Sequence, residues 1–489
     1  MKITANVQTG FHDTCDCLVV GIDSQGRMGA VAQLVDQQFS GWLSRAYARG
    51  SVTGKFCERL WLPSPATEGP QSFLLVGVGD TAAMDAGKAY KLGGAVLRQL
   101  CEHQRGRITL ACVDLCPPEL HRHLAAGAVT ATEGQELFVG KKKIHPPGEL
   151  VFAGSSIDLV SGGVIIGESI NLTRRMVNEP ANVMFPAAFA ERAIRLGDEL
   201  GFEVEVWDED RLAHEGCEAL LAVGRGSARE SRLVKLRYRG RNNDDAPLAL
   251  VGKGVTFDSG GLSLKPAASM EDMKCDMAGA ATVLGAIAAA ARMGIKENVF
   301  GYCGLVENMV SADSFRVGDV LRTRSGKTIE ILNTDAEGRV VLADVLNVAL
   351  DDAPSAIIDL ATLTGACMVA LGTEVSGLFT NHPELIGGVR RAAGEVGEPV
   401  WELPMFDFYG DQIRSKVADI KNMGEGRWGG AITAAKFLEE FVAGTPWVHI
   451  DIAGPAFAAS ADNHRDAGAT GAMVRTLIQL LETRAQNAT

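Results

Sequence analysis

This chain of 489 residues has no charge-free apolar run long enough to span a bilayer, about 18 residues or more, so no membrane span is expected. It is short of positive charge: 47 Lys and Arg against 60 Asp and Glu leave a net charge of −13. That argues against broad nucleic-acid binding, which needs a basic footprint, and leaves room only for a local patch or a site-specific role. Its ten cysteines are scattered without a CxxC pair, which fits free buried thiols better than disulfides. Cys15-Asp16-Cys17 has the spacing that puts two residues on one face of a strand, so two core thiols sharing a face are expected rather than a metal pair. The start, Met1-Lys2-Ile3-Thr4-Ala5-Asn6, shows neither a long apolar core nor a small-residue cleavage pattern, and reads as a mature cytosolic N-terminus.

What remains is globular, with 46% hydrophobic and 22% charged residues and length for two to three domains. Apolar runs at Leu18–Ile22, Ser72–Val78 and Ile108–Val113 read as strands, and Lys88–Cys101 as a helix. Strands alternating with helices predict an α/β domain with a largely parallel sheet over residues 1–155. The Lys-, Pro- and Gly-rich stretch 140–154 reads as a linker. A second, larger α/β unit follows over 160–489, with a central mixed, mostly parallel sheet. Its expected strands are Leu248–Val251, Val299–Leu305, Ile329–Leu332, Ala356–Leu360 and Trp447–Ile452. Helices are expected at Ile165–Val177, Gly338–Leu350 and Met277–Met293, the last stopped by Gly294.

The chemistry-bearing residues of this second unit follow its strands, where ligand sites form in open α/β sheets. After Leu248–Val251 comes the glycine-rich segment Lys253 to Lys265, which also holds Asp258. It lacks the GxxxxGK[ST] pattern, so a phosphate loop is excluded, and taken alone it explains nothing beyond a surface ion pair. Asp276 stands at the start of the Ala-rich helix and alone reads as a helix cap. The segment Asn333-Thr334-Asp335-Ala336-Glu337-Gly338-Arg339 carries two acids and a guanidinium; Thr334 and Glu337 have capping-box spacing, which leaves Asp335 and Arg339 unexplained. If these segments meet, Asp258, Asp276, Asp335 and Glu337 repel one another unless cations join them. Oxygen donors suit Mg²⁺ or Mn²⁺ and also Zn²⁺, and two ions sharing carboxylates would resolve the repulsion.

These segments resemble the leucyl (cytosol) aminopeptidase family of dinuclear metallo-exopeptidases. The likeness runs through Gly326–Leu332, Asn333–Arg339, Leu342–Leu346, Val251–Pro266, Met273–Ala281, Asp359–Ala366 and Asp451–Pro455. It departs at Ala312, Val317 and Met473, none of which touches the expected metal set. The resemblance implies that Asp258 and Glu337 bridge two metals, that Asp335 holds the more exchangeable ion, and that Lys253 and Asp276 hold the tighter one, Lys253 as a neutral amine whose pKa the cation drives down. It implies Lys265 and Arg339 as catalytic helpers, with a bicarbonate anion at Arg339 shuttling a proton. Met273, Asn333, Thr362, Leu363 and Gly365 fall in its substrate-binding region.

The implied activity is removal of the N-terminal residue of peptides, with a lean towards Leu or Met. A hydroxide shared by the two ions attacks the carbonyl, and Lys265 stabilises the oxyanion. A cytoplasmic homohexamer is also implied. Two other readings stand beside this one. A dinuclear phosphoesterase commonly uses histidine ligands, yet His12, His103, His121, His123, His145, His214, His382, His449 and His464 all lie away from the acid motifs in sequence, and His449 reads as a core histidine. A nucleic-acid-binding role for the first domain runs against the acidic balance.

Overall fold

The computed structural model describes residues 1–7, 14–241 and 245–487; His12 lies outside them. The chain divides into two compact units, Met1–Asn171 with Ser460–Ala467, and Leu172–Ala459 with Gly468–Thr489.

In the first unit the strands are β1 (Lys2–Asn6), β2 (Cys17–Asp23), β3 (Arg59–Pro63), β4 (Ser72–Gly79), β5 (Arg107–Leu110) and β6 (Glu149–Ala153). They form one sheet in the order β1-β6-β5-β2-β4-β3, parallel except for β3. The α/β expectation holds, with differences. The presumed linker 140–154 supplies β6, whose register against β1 and β5 makes it integral to the sheet. The strand expected to reach Val113 ends at Leu110, where the chain turns into a short 3₁₀ helix, Cys112–Leu115. Cys15 and Cys17 are both buried, but in different apolar clusters: Cys17 packs with Val19 and Cys15 with Leu18 and Val20. Cys15 precedes the strand, so the two-residue alternation does not extend to it.

In the second unit the strands are β7 (Glu203–Trp207), β8 (Arg232–Arg239), β9 (Leu248–Asp258), β10 (Asn298–Asn308), β11 (Val320–Arg322), β12 (Thr328–Glu330), β13 (Ala356–Ala361), β14 (Ser376–Thr380), β15 (Val400–Glu402), β16 (Ile420–Lys421) and β17 (Trp447–Asp451). An eight-stranded mixed sheet runs β15-β14-β17-β13-β9-β10-β8-β7, with a parallel centre from β17 to β10. The expected strand Ile329–Leu332 is not in it: β12 belongs to a separate three-stranded sheet, β11-β12-β16. Buried apolar side chains of the helix Glu337–Ala349 pack in one cluster with those of β9, β10, β13 and β17.

β9 runs on from the expected Leu248–Val251 through Lys253 to Asp258, so both residues are strand residues rather than loop residues. Its pairing with β10 slips between Val306 and Glu307: Val306 pairs with Val255 and Glu307 with Phe257, leaving Thr256 as the extra residue. The Thr256 hydroxyl donates to the Val306 carbonyl at 3.2 Å within this bulge. In an even strand, residues five apart face opposite sides; one inserted residue returns Asp258 to the side of Lys253.

The Ala-rich helix spans Ala278–Met293 and ends at Gly294, whose φ of +63° is the left-handed cap expected from the sequence. One stretch among the described residues, Ala267–Met293, is long and apolar enough to cross a membrane; 89% of its apolar window is buried within the protein, as in a core helix.

Candidate metal centre

One strand of the sheet's parallel centre, two turns and a helix start deliver the site. Lys253 and Asp258 come from β9, Asp335 and Glu337 from the turn and helix after β12, and Asp276 from the 3₁₀ turn Met273–Met277. All but Asp335 are almost fully buried. Carboxylate oxygens of Asp258, Asp335 and Glu337 lie within 4.8 Å of one another, close enough to share an ion. Two ammonium groups lace the acids together. Lys253 Nζ lies 2.7 Å from Asp276 Oδ1 and 2.9 Å from Glu337 Oε1, and donates to the Thr362 carbonyl at 3.0 Å. Lys265 Nζ lies 2.9 Å from Asp258 Oδ2 and 2.5 Å from Asp335 Oδ1.

The charges do not close. Burial raises the Glu337 and Asp276 carboxyls above the usual range; Asp258 adds to this, and Lys253 offsets it only in part. Burial and Asp258 likewise outweigh Lys265 at Asp335. Burial pulls both lysines down, but the carboxylates dominate and hold both well above the ordinary lysine value. In the field of the protein alone, Lys253 is therefore an ammonium; the neutral-amine role belongs to a site whose acids are already engaged by cations. Asp276 Oδ2 and Glu337 Oε2 are buried without a hydrogen-bond partner. Buried carboxylate oxygens left unpaired are costly, and divalent cations are the partners that suit them.

Local structure replaces the simpler explanations. Thr334 is not a capping residue: its hydroxyl donates to the Gly260 carbonyl at 2.7 Å and accepts from Ser263 N at 2.7 Å. It rivets the two motif segments to each other, and the helix Glu337–Ala349 starts at Ala336 without a side-chain cap. Asp276 is likewise no cap, because the Ala-rich helix begins at Met277 and Asp276 accepts from Lys253 and Thr362 instead. Gly338 is required by space: a Cβ there would lie 2.4 Å from Lys253 Cε and 2.6 Å from Nζ.

The other expected residues fall nearby. Arg339 is buried and donates to the Asn422 carbonyl at 3.0 Å; burial brings its pKa down to about 10 against the pull of Glu337 and Asp451, and its Nε has no partner. Thr362 donates to Asp276 Oδ1 at 2.7 Å, and Leu363 N donates to Asp451 at 3.2 Å. Gly365 is exposed at the start of the helix Gly365–Leu371, and Met273 is half-buried at the start of its turn. The Asn333 side chain is engaged in its own turn, accepting from Asp335 N at 2.8 Å.

Sequence reasoning assigned nothing to Asn308, Asn422 or Asp451. Asn308 donates to Asp258 Oδ1 at 2.9 Å and to the Thr334 carbonyl at 2.9 Å. Asn422 accepts from Leu332 N and donates to the Asn333 carbonyl at 2.7 Å. Asn308 and Asp451 end β10 and β17, so the strand-end rule that located the acids could have flagged them too. Asn422 follows the two-residue strand β16 and carries no such signal. His449 is the expected core histidine, bonded through Nδ1 to Asp359 Oδ1 at 2.6 Å, and among the described residues no histidine joins the carboxylate cluster.

An acid cluster gathered from the end of β9, the turn and helix after β12 and the turn Met273–Met277, laced by two lysines and flanked by a buried arginine, fits a metal-dependent hydrolase of α/β architecture. Comparison with known proteins gives the class a family. The model of the cytosol aminopeptidase family's catalytic domain matches residues 171–478, and that of its N-terminal domain matches residues 19–138. A probable cytosol aminopeptidase of Rhodopirellula baltica is 57% identical over 90% of this chain and 86% of its own length. One from Syntrophotalea carbinolica is 42% identical over 99% and 100%. Among solved structures, a tomato leucine aminopeptidase variant superposes with a TM-score of 0.88 at 32% identity, covering 99% of this chain and 96% of that one. The bottromycin maturation enzyme BotP in complex with Mn gives 0.86 at 36%, covering 96% and 99%. The chain belongs to the cytosol aminopeptidase family and is a metalloexopeptidase.

Proposed function

We propose that this aminopeptidase works with two divalent ions, held by Asp258, Asp276, Asp335, Glu337 and Lys253, and with an anion at Arg339. The observation that carries this reading is the pair of buried, unpartnered oxygens, Asp276 Oδ2 and Glu337 Oε2, whose companion oxygens both lie against Lys253 Nζ. Ions bound there would polarise the scissile carbonyl and acidify a water molecule. The chain's own groups do the rest. Lys265 stays protonated between Asp258 and Asp335 and presents N–H donors where the carbonyl oxygen gains charge. Arg339 is too basic to take a proton at neutral pH, so its task is to hold an anion such as bicarbonate, which can. Thr362, Leu363 and Gly365 form the rim on which the peptide lies, with Met273 and Asn333 beside it.

A Leu or Met preference rests on Met273 and on the open space at Gly365. Zn²⁺, Mn²⁺ and Mg²⁺ all suit the donor set, and the Mn complex of BotP favours Mn²⁺. A cytoplasmic location fits the name the curated relatives carry. A homohexamer fits the exposed apolar side chains Trp401, Phe406, Phe408, Val417 and Trp428 of the catalytic unit.

The test is metal analysis of the purified protein together with leucine-amide hydrolysis across added metals. Asp335→Ala and Glu337→Ala should abolish metal-dependent turnover; wild-type turnover in either sinks the assignment. Lys265→Ala should lower turnover far more than metal content, and an equal loss of both would contradict its role.

A further inference from the structure

Asp451 is fully buried at the end of β17, directly opposite Ala361 of β13 in the parallel register. Its Oδ1 accepts from Leu363 N at 3.2 Å and from Ala453 N at 3.1 Å, and its Oδ2 accepts from the Thr364 hydroxyl at 2.7 Å. The Leu363 N–H belongs to the same planar peptide as the Thr362 carbonyl, and in a trans peptide the two point in opposite directions. That carbonyl accepts from Lys253 Nζ at 3.0 Å. One rigid peptide is thus gripped by Asp451 at one end and by Lys253 at the other. The residue on its N-terminal side, Thr362, also bonds Asp276 Oδ1 through its hydroxyl at 2.7 Å.

We propose that Asp451 is a positioning residue for the metal centre: through the Thr362–Leu363 peptide it fixes where the Lys253 amine and the Asp276 carboxylate stand. The inference rests on the reading of Lys253 and Asp276 as metal-holding groups. Asp451 lies on the opposite side of the peptide from Lys253 and reaches the amine through it. Groups that orient ligands in this way typically set metal affinity by roughly 10- to 100-fold. The effect falls on the ion held by Lys253 and Asp276, and spares the one held by Asp335 beside Lys265.

The test is competition of Zn²⁺ or Mn²⁺ between the full-length protein and a chelator, read as metal retained per chain without reference to turnover. Lys253→Ala first identifies which of two binding steps depends on the amine. Asp451→Ala should weaken that step by roughly 10- to 100-fold and leave the other within a few-fold. Asp451→Asn should recover most of the loss, because its amide oxygen still accepts from Leu363 N and its NH₂ can donate to the Thr364 hydroxyl. Wild-type affinity in Asp451→Ala overturns the proposal, as does equal weakening of both steps or an Asn variant no better than Ala. Should the alanine variant not fold, Asp451→Glu carries the test, since it keeps the charge and displaces the acceptor: weakening of the same step supports the proposal, and wild-type affinity overturns it. If Lys253→Ala binds metal as the wild type does, the metal assignment itself fails, which is a separate result.

Discussion

Gly338→Ala is the most searching single test of the centre, because a better helix former should make a worse enzyme. Gly338 is the second residue of its helix, so the change favours folding by at most the roughly 1 kcal/mol it brings in a helix interior. Here the new methyl would stand 2.4 Å from Lys253 Cε, 2.6 Å from Nζ and 2.8 Å from Cδ, all inside van der Waals contact. The strand has no room to back away: a Cβ on neighbouring Gly252 would lie 2.5 Å from Ala280 Cα, so β9 already touches the helix Ala278–Met293. Overpacking of this kind costs about 1–3 kcal/mol, so the net effect on stability is near zero to about 3 kcal/mol unfavourable. The amine must shift by about 1 Å, and a misplacement of that size costs on the order of 100-fold in rate, or about 2.7 kcal/mol. Leucine-amide kinetics at saturating metal, alongside thermal melts, should show kcat/KM down about 100-fold with a melting temperature only a few degrees lower. A folded Gly338→Ala enzyme of wild-type activity and metal content would refute the placement of Lys253 against this helix.

Three further outcomes are expected. Asp344 is fully buried, accepting from Leu220 N at 2.9 Å and Arg324 N at 2.8 Å, and burial pushes its pKa up to about 7. A carboxyl raised on folding contributes stability below its unfolded value that is lost as pH rises to about 7, so Asp344→Asn should flatten urea midpoints between about pH 4 and pH 7; an unchanged slope would contradict this. Asp359→Asn breaks the buried pair with His449 and weakens the acceptor of Trp447 Nε1 at 2.6 Å, and should cost about 3–5 kcal/mol in urea unfolding. Thr334→Val removes the hydroxyl that joins Gly260 to Ser263, and should cost about 1–3 kcal/mol while loosening metal retention; retention unchanged in chelator would show that the two segments hold without it.

The convergence of Asp258, Asp335 and Glu337 was legible because several acids follow apolar strand runs in sequence, and strand ends are where ligand sites form. The Gly294 cap and the Ala-rich helix followed from local rules that nothing overrode. Errors arose where local rules competed with distant partners. Thr334 and Glu337 have capping-box spacing, but Thr334 bonds Gly260 and Ser263, more than 70 positions away. The stretch 140–154 looks like a linker from its lysines and prolines, yet β6 is claimed by β1 and β5. The segment Ser460–Ala467 belongs with the first unit through contacts such as Arg98 with Asp466 at 3.2 Å, which composition does not encode. The apolar run that marks β9 in the sequence stops at Val251, so nothing local signals that the strand runs on to Asp258; the bulge that brings Lys253 and Asp258 to one side is set by pairing with β10.

That bulge has a consequence for how this site can change. Substitutions at Thr256 would trim a hydroxyl and leave Asp258 facing the cluster, whereas deletion of Thr256 would restore strict alternation along β9 and turn Asp258 to the other side of the sheet. The centre is therefore guarded by the length of a strand as much as by its residues. Which side Asp258 faces depends on the number of residues in the strand, a quantity that an insertion or a deletion changes and a replacement does not.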